Sequence, residues 1–316
     1  MKKKIVVFGG GTGLSTFVSG IKDYPVEINA IITVSDSGGS TGILREEFNM
    51  PGVGDIRRVI SSMSGLNSNI KSILEYRFET SSDLDGHALG NLMLTAFYNK
   101  TKSLTTSIKY MSKLMDLSPH KVIPITEDNV TLIAHTLDGE MIVSEKNIDH
   151  SDHNVTNVSF KEKGVKVNPD VIKAIEKADL IIYSMGSLYT SLLPNLILPE
   201  VKKALKKSKA PKLYINNMIN SPTESYKYKA SDYIKKIEET TGCNLDALIC
   251  SNTNVPEDVK KKYFEEEKKE VVEIDREEIK KLGVELIEED LMIIKGHWIR
   301  HNTEKLALTV FNYLMR

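Results

Sequence analysis

The stretch that most constrains this chain is Ile5-Val6-Val7-Phe8 running directly into Gly9-Gly10-Gly11-Thr12-Gly13-Leu14. Apolar residues of strand-forming type stop at consecutive glycines, and apolar positions then recur at helical spacing as Leu14, Phe17, Val18 and Ile21. This order reads as a buried parallel strand, a tight turn and a helix whose first-turn N–H groups lack intrahelical partners. Glycine allows positive φ and lets a bulky group approach the main chain, while the helix start carries partial positive charge. The guest that suits such a turn is phosphate or diphosphate. A dinucleotide fingerprint would want glycine where Leu14 stands, and a P-loop would want a lysine after Gly13, so neither standard motif is present. Gly9, Gly10, Gly11, Thr12 and Gly13 are therefore candidate phosphate-binding residues.

The next strand pattern, Val26–Val34, ends at Asp36-Ser37-Gly38-Gly39-Ser40-Thr41-Gly42, with Arg45 one helical turn further on. Hydroxyls, glycines, a carboxylate and a guanidinium gathered at a strand end suit a ribose, a phosphate or a metal, although Asp36 could equally cap the turn. A third glycine loop, Gly52-Val53-Gly54-Asp55-Ile56-Arg57, opens another helix, where Asp55 could cap, ligate Mg²⁺ or hold a substrate hydroxyl. Asp36 and Asp55 are the candidate Mg²⁺ ligands, and the residues demand no cofactor. Residues 57–117 read as several helices, within which His87 and Asn91, four apart, would share one helix face.

Val122–Ile125 reads as a strand, and Val130–Thr136 and Met141–Ser144 form a hairpin around Asp138-Gly139. This marks a β-rich insertion at about 126–165, with His135, His150 and His153 as surface histidines rather than a metal set. The βα rhythm resumes with a helix at 170–177, strand Leu180–Tyr183 and a loop holding Gly186 and Ser187. Strand Lys212–Ile215 then ends at Asn216-Asn217, and a helix at 229–240 leads to strand Ala247–Cys250. Glu257–Asp290, dense in both charges, reads as solvated helix faces with Tyr263 as an aromatic among them, and an amphipathic helix closes the chain. The expected fold is α/β: a Rossmann-like, mostly parallel sheet with helices on both faces and a β-hairpin insertion. With no linker or composition break, it is expected to form a single domain over 1–316.

Composition narrows the partners. Lysine plus arginine (42) against aspartate plus glutamate (43) argues against a nucleic-acid partner, which needs basic excess. No run approaches the roughly 18 apolar residues of a membrane span, and the apolar run after Lys2-Lys3-Lys4 is too short for a secretion signal. Cys243 and Cys250 match no metal or redox spacing, which suits reduced thiols in a cytoplasmic protein.

The glycine loops at 9–13 and 36–42, Gly54-Asp55-Ile56-Arg57, Gly86-His87 with Gly90-Asn91-Leu92, and Gly186-Ser187-Leu188-Tyr189-Thr190-Ser191 occur in an order that resembles the gluconeogenesis factor family. These are bacterial relatives of archaeal-type 2-phospho-L-lactate transferase, and the resemblance runs nearly the whole chain. It implies a Rossmann-like core binding a nucleotide diphosphate at its strand carboxyl ends. For the bacterial branch it implies UDP-N-acetylglucosamine binding, support of cell-wall synthesis and cell shape on gluconeogenic carbon, and no established reaction. It also implies that Tyr263 and Arg300 hold the nucleotide sugar. The chain departs from the family at Met185-Gly186, at Met218–Ser225, and at Arg300-His301-Asn302, where the family ends in Arg-His-Asp.

Three functions compete: a nucleotide-sugar-sensing regulator, favoured; a transferase using a nucleotide diphosphate donor, in which Asp36 or Asp55 would hold Mg²⁺ and Arg45 or Arg57 would offset developing charge; and a nicotinamide oxidoreductase, disfavoured by the missing fingerprint. A homo-oligomer is compatible with each.

Overall fold

The computed structural model describes residues 2–151, 154–296 and 298–316; His153 lies outside the described residues. Seven strands form one sheet in which every pairing is parallel: β1 (Lys3–Gly9), β2 (Val26–Ile32), β3 (Lys121–Pro124), β7 (Leu180–Tyr183), β8 (Lys212–Ile215), β9 (Ala247–Ser251) and β10 (Glu285–Glu289). Between β3 and β7 the chain forms a separate antiparallel sheet of β4 (Leu132–Thr136), β5 (Met141–Val143) and β6 (Val155–Phe160); β11 (Met292–Lys295) and β12 (Trp298–His301) pair antiparallel near the end. The insertion is thus a three-stranded sheet rather than a hairpin alone.

The spatial order is β10-β9-β8-β7-β1-β2-β3. From β1 the chain builds outward through β2 to β3, then returns to the far side of β1 and builds outward again through β7 to β10. The order therefore reverses between β1 and β7, and the crevice beyond their carboxyl ends is where open α/β sheets take ligands.

β1 is buried on both faces, as a central parallel strand must be. Ile5 and Val7 join a core with Leu14, Phe17 and Val18 of α1 (Gly11–Ile21) and with Ile56, Val59 and Ile60 further on. Val6 and Phe8 face the other way, against the inserted sheet (Leu132, Ala134, Val158) and the helices after it. Phe8 stacks on Tyr183 of the neighbouring strand at 5.9 Å between ring centroids.

Two elements differ from the sequence reading. β10 lies inside the charged segment expected to be helical and forms the outer edge of the parallel sheet, with Leu286 and Ile287 half-buried among glutamates. His87 stands before, not within, the helix Leu89–Thr101.

Candidate functional site

Gly9, at the end of β1, lies beside Ser184 just past β7, and Ser184 donates its N–H to the Phe8 carbonyl at 3.0 Å. A Cβ on Gly9 would stand 2.2 Å from the Ser184 hydroxyl, and one on Gly13 only 1.9 Å from the Met185 carbonyl oxygen. These glycines are required because α1 starts hard against the loop that follows β7. Gly11 has φ +54°, the left-handed region, which sets the turn into the helix.

Beyond this junction lies a cavity of about 570 Å³, within the ordinary range for small-molecule sites. Thr12 and Gly13 of the first helical turn and Gly186 and Ser187 of the loop after β7 form its inner wall. Asn217 fixes that loop from both sides: its Oδ1 accepts the Gly186 N–H at 2.8 Å and its Nδ2 donates to the Gly186 carbonyl at 2.7 Å. Tyr263, Trp298, Arg300 and His301 line the opposite side. The Tyr263 hydroxyl accepts the Ile299 N–H at 2.8 Å, its ring meets Trp298 edge-on, and the Arg300 guanidinium lies 5.3 Å from the Trp298 ring centroid. Burial holds His301 well below its ordinary pKa, at about 4, so it is neutral, with Nε2 donating to the Asn216 carbonyl at 3.2 Å.

A wall of carboxylates flanks this cavity. Asp55, in the first turn of the helix Gly54–Met63, points back at the first glycine turn and accepts a hydrogen bond from the Gly11 main chain. The start of α1 is therefore faced by the Asp55 carboxylate, where the sequence suggested open main chain awaiting phosphate; a carboxylate satisfies the same helix-start preference for an anion. Asp36 sits close by: its Oδ1 accepts the Gly38 N–H at 3.0 Å, and a Cβ on Gly54 would meet its Oδ2 at 2.3 Å. Burial, then the neighbouring Asp36 charge, pushes Asp55 upward.

The short helix Glu145–Asp149 of the insertion brings two more carboxylates. Glu145 accepts the Ser37 N–H at 3.2 Å, and Asp149, on the cavity wall, accepts the Thr190 hydroxyl at 3.4 Å. Both are raised by burial first and then by like charge: Asp36 acting on Glu145, Glu224 acting on Asp149. Glu224, fully buried and accepting the Tyr189 N–H at 3.3 Å, is pushed up to about 7, mainly by burial. Among the described residues no group of three or more His, Cys, Asp or Glu is arranged to hold a metal ion.

Of the residues singled out from the sequence, Thr12, Gly13, Gly186, Ser187, Tyr263 and Arg300 line the cavity together. Gly10, Gly11, Gly54, Asp36 and Asp55 close on each other in the adjoining wall. Arg45 does not reach the cavity: it donates to the Ser35, Asp36 and Val130 carbonyls and to Asn129 Oδ1, at 2.6–2.9 Å, and so shapes the Asp36 loop. Arg57 is buried and paired with Glu75. His87 and Asn91 meet through Ser40: Asn91 Nδ2 donates to the Ser40 hydroxyl at 3.2 Å, and that hydroxyl is hydrogen-bonded with His87 Nδ1 at 2.9 Å. This buried set, with Thr41 beside it, braces the second glycine loop, of which Gly38 and Gly39 form the turn into the next helix. Asn216 lies behind Asn217, donating to its carbonyl at 2.8 Å.

Sequence reasoning missed Asn217, Trp298, Asp149 and Glu224. Glu145 and Asp149, four apart beside the hairpin, and a lone tryptophan two residues before Arg300, were signals available in the sequence.

The sheet order and this cavity define a Rossmann-like α/β protein with its candidate ligand site at the topological switch point. The family described as 2-phospho-L-lactate transferase CofD matches residues 5–292. Curated gluconeogenesis factors are similar over nearly the full length: that of Bacillus subtilis is 38% identical, covering 99% of this chain and 98% of its own. That of Halalkalibacterium halodurans is 37% identical, covering 97% and 95% respectively. A crystal structure of a Bacillus halodurans protein superposes with a TM-score of 0.94 at 36% identity, covering all of both chains. The chain belongs to the 2-phospho-L-lactate transferase CofD family, within its gluconeogenesis factor branch.

Proposed function

We propose that the protein is a nucleotide-sugar-binding regulator whose ligand is UDP-N-acetylglucosamine, acting in support of cell-wall synthesis and cell shape during gluconeogenic growth. The observation that carries this reading is the switch-point cavity itself, with a helix start and a hydroxyl-bearing loop at one end and an arginine beside aromatic rings at the other. The diphosphate lies along Thr12, Gly13 and Ser187, beside the Asp55 carboxylate that takes the Gly11 main chain, where the remaining first-turn N–H groups and the hydroxyls suit it. The uracil lies toward Tyr263, Trp298 and Arg300, where ring faces and a guanidinium fork suit a flat ring with carbonyl edges.

The transferase reading rests on the family's own description and on the raised carboxylates by the cavity, which suit a proton acceptor for an attacking hydroxyl. Asp36 and Asp55 supply only two ligands for Mg²⁺. That fits the ion's habit of pairing one or two carboxylates with substrate phosphates, so the diphosphate would have to complete the shell.

Thermal unfolding with UDP-N-acetylglucosamine, GDP and NADP, each with and without Mg²⁺, tests both. A ligand at 100 times its Kd adds about 2.7 kcal/mol to stability. Selective stabilisation by UDP-N-acetylglucosamine without Mg²⁺ supports the regulator; stabilisation that needs Mg²⁺ supports the transferase.

A further inference from the structure

At the opposite, amino-terminal end of the sheet lies a second cavity, of about 560 Å³, bounded by the starts of β1, β2 and β3 and by the helices Leu104–Leu114 and Pro169–Glu176. Its wall carries six lysines, Lys4, Lys109, Lys113, Lys121, Lys173 and Lys177, against two carboxylates, Glu27 and Asp170. Lys121 pairs with Glu27 at 2.9 Å, and Lys109 and Lys173 share Asp170 at 3.6 and 3.1 Å. Lys113 and Lys177 have no ion-pair partner among the described residues. His120 adds no charge: its Nδ1 accepts the Ile28 N–H at 3.2 Å and its Nε2 faces the Lys22 carbonyl at 3.0 Å, a pairing that fixes the neutral ring. The cavity floor is apolar, formed by Ile108, Leu117, Val122, Ile123 and Ala174.

The chain as a whole has a net charge of −1, so a local excess of four cations around one cavity is a concentration, not an average. Lysines near helix carboxyl ends, such as Lys113 and Lys173, are favoured there by the helix dipole. That does not account for Lys4 and Lys121, which come from strands and border the same space. We propose that this cavity is a second ligand site, taking a small organic phosphate whose charge meets the lysine rim and whose apolar body rests on the floor. The proposal is independent of what the switch-point cavity binds.

Phenyl phosphate is the probe, titrated calorimetrically into the full chain, with inorganic phosphate as the control lacking an apolar body. Binding is expected at low salt, weakening as salt rises and screens the rim. It should be weaker for inorganic phosphate, and reduced roughly tenfold or more in Lys113→Ala/Lys177→Ala. Both lysines are exposed, so the double variant keeps its fold, which its unfolding midpoint checks. Arg300→Ala, which removes a cation from the switch-point cavity, should leave probe binding unchanged. No binding, binding indifferent to the lysine pair, or binding lost in Arg300→Ala would each overturn the proposal.

Discussion

A Cβ on Gly10 would stand 2.7 Å from the Asp55 carboxylate, so the first glycine turn and the third glycine loop meet with room for little more than a hydrogen atom. Gly13 is tighter still, since its obstacle is the Met185 main chain. The two should separate experimentally. Gly13→Ala must push α1 off the loop after β7 and should cost about 1–3 kcal/mol, the usual range for overpacking. Gly10→Ala displaces a side-chain carboxylate and should cost less while disturbing ligand binding. Urea unfolding and ligand titration of both variants check this; equal stability losses would contradict it.

Arg45 should matter to folding more than its sequence context suggested. Its guanidinium ties three carbonyls and one amide oxygen across two segments, and hydrogen bonds to charged groups contribute about 1.5–3 kcal/mol each. Arg45→Ala is expected to lower stability by at least about 2 kcal/mol. Arg45→Lys should recover little of it, because an ammonium cannot replace a planar fork. Denaturant unfolding of both variants would show otherwise if lysine restored the wild-type midpoint.

The carboxylate wall gives stability a pH dependence of definite sign. Asp55, Glu145 and Glu224 all titrate above their ordinary values in the folded chain, Glu224 at about 7. A carboxyl group raised in this way holds its proton longer folded than unfolded. Its contribution is therefore complete below the unfolded pKa, near 4, and is lost as pH rises through the folded value near 7. Unfolding free energies measured between pH 5 and 8 should carry this loss, and Glu224→Gln, which cannot ionise, should reduce it. An identical slope in wild type and Glu224→Gln would contradict the assignment.

Much of the fold could be read from the sequence because local and global signals agree along the central strands: Ile5–Phe8, Leu180–Tyr183 and Ala247–Cys250 are apolar runs bounded by turn residues. β10 was hidden because an edge strand need bury only part of its side chains, and its glutamates read as solvated helix. The site was legible where glycine is forced by close approach, as at Gly13, and where an aromatic or arginine stands out, as at Tyr263 and Arg300. It was not legible where a residue acts through tertiary placement. Asn217 clamps Gly186 across 31 positions of chain, and Asp149 comes from the insertion. Arg45 and Arg57 were drawn to the ligand by their charge alone, whereas the fold directs one to main-chain carbonyls and the other to Glu75.

The central claim, that the switch-point cavity holds the nucleotide sugar with Arg300 at its far end, is tested most directly by calorimetric titration of UDP-N-acetylglucosamine into wild type and Arg300→Ala. The guanidinium rests over Trp298 and, among the described residues, donates only to the Ile299 carbonyl, at 3.0 Å, so its removal should leave stability nearly unchanged. Loss of a charge-assisted hydrogen bond should weaken binding about tenfold or more. Saturable binding by the wild type with that loss in the variant is the predicted result; no binding by the wild type, or equal affinity in both, would contradict the account.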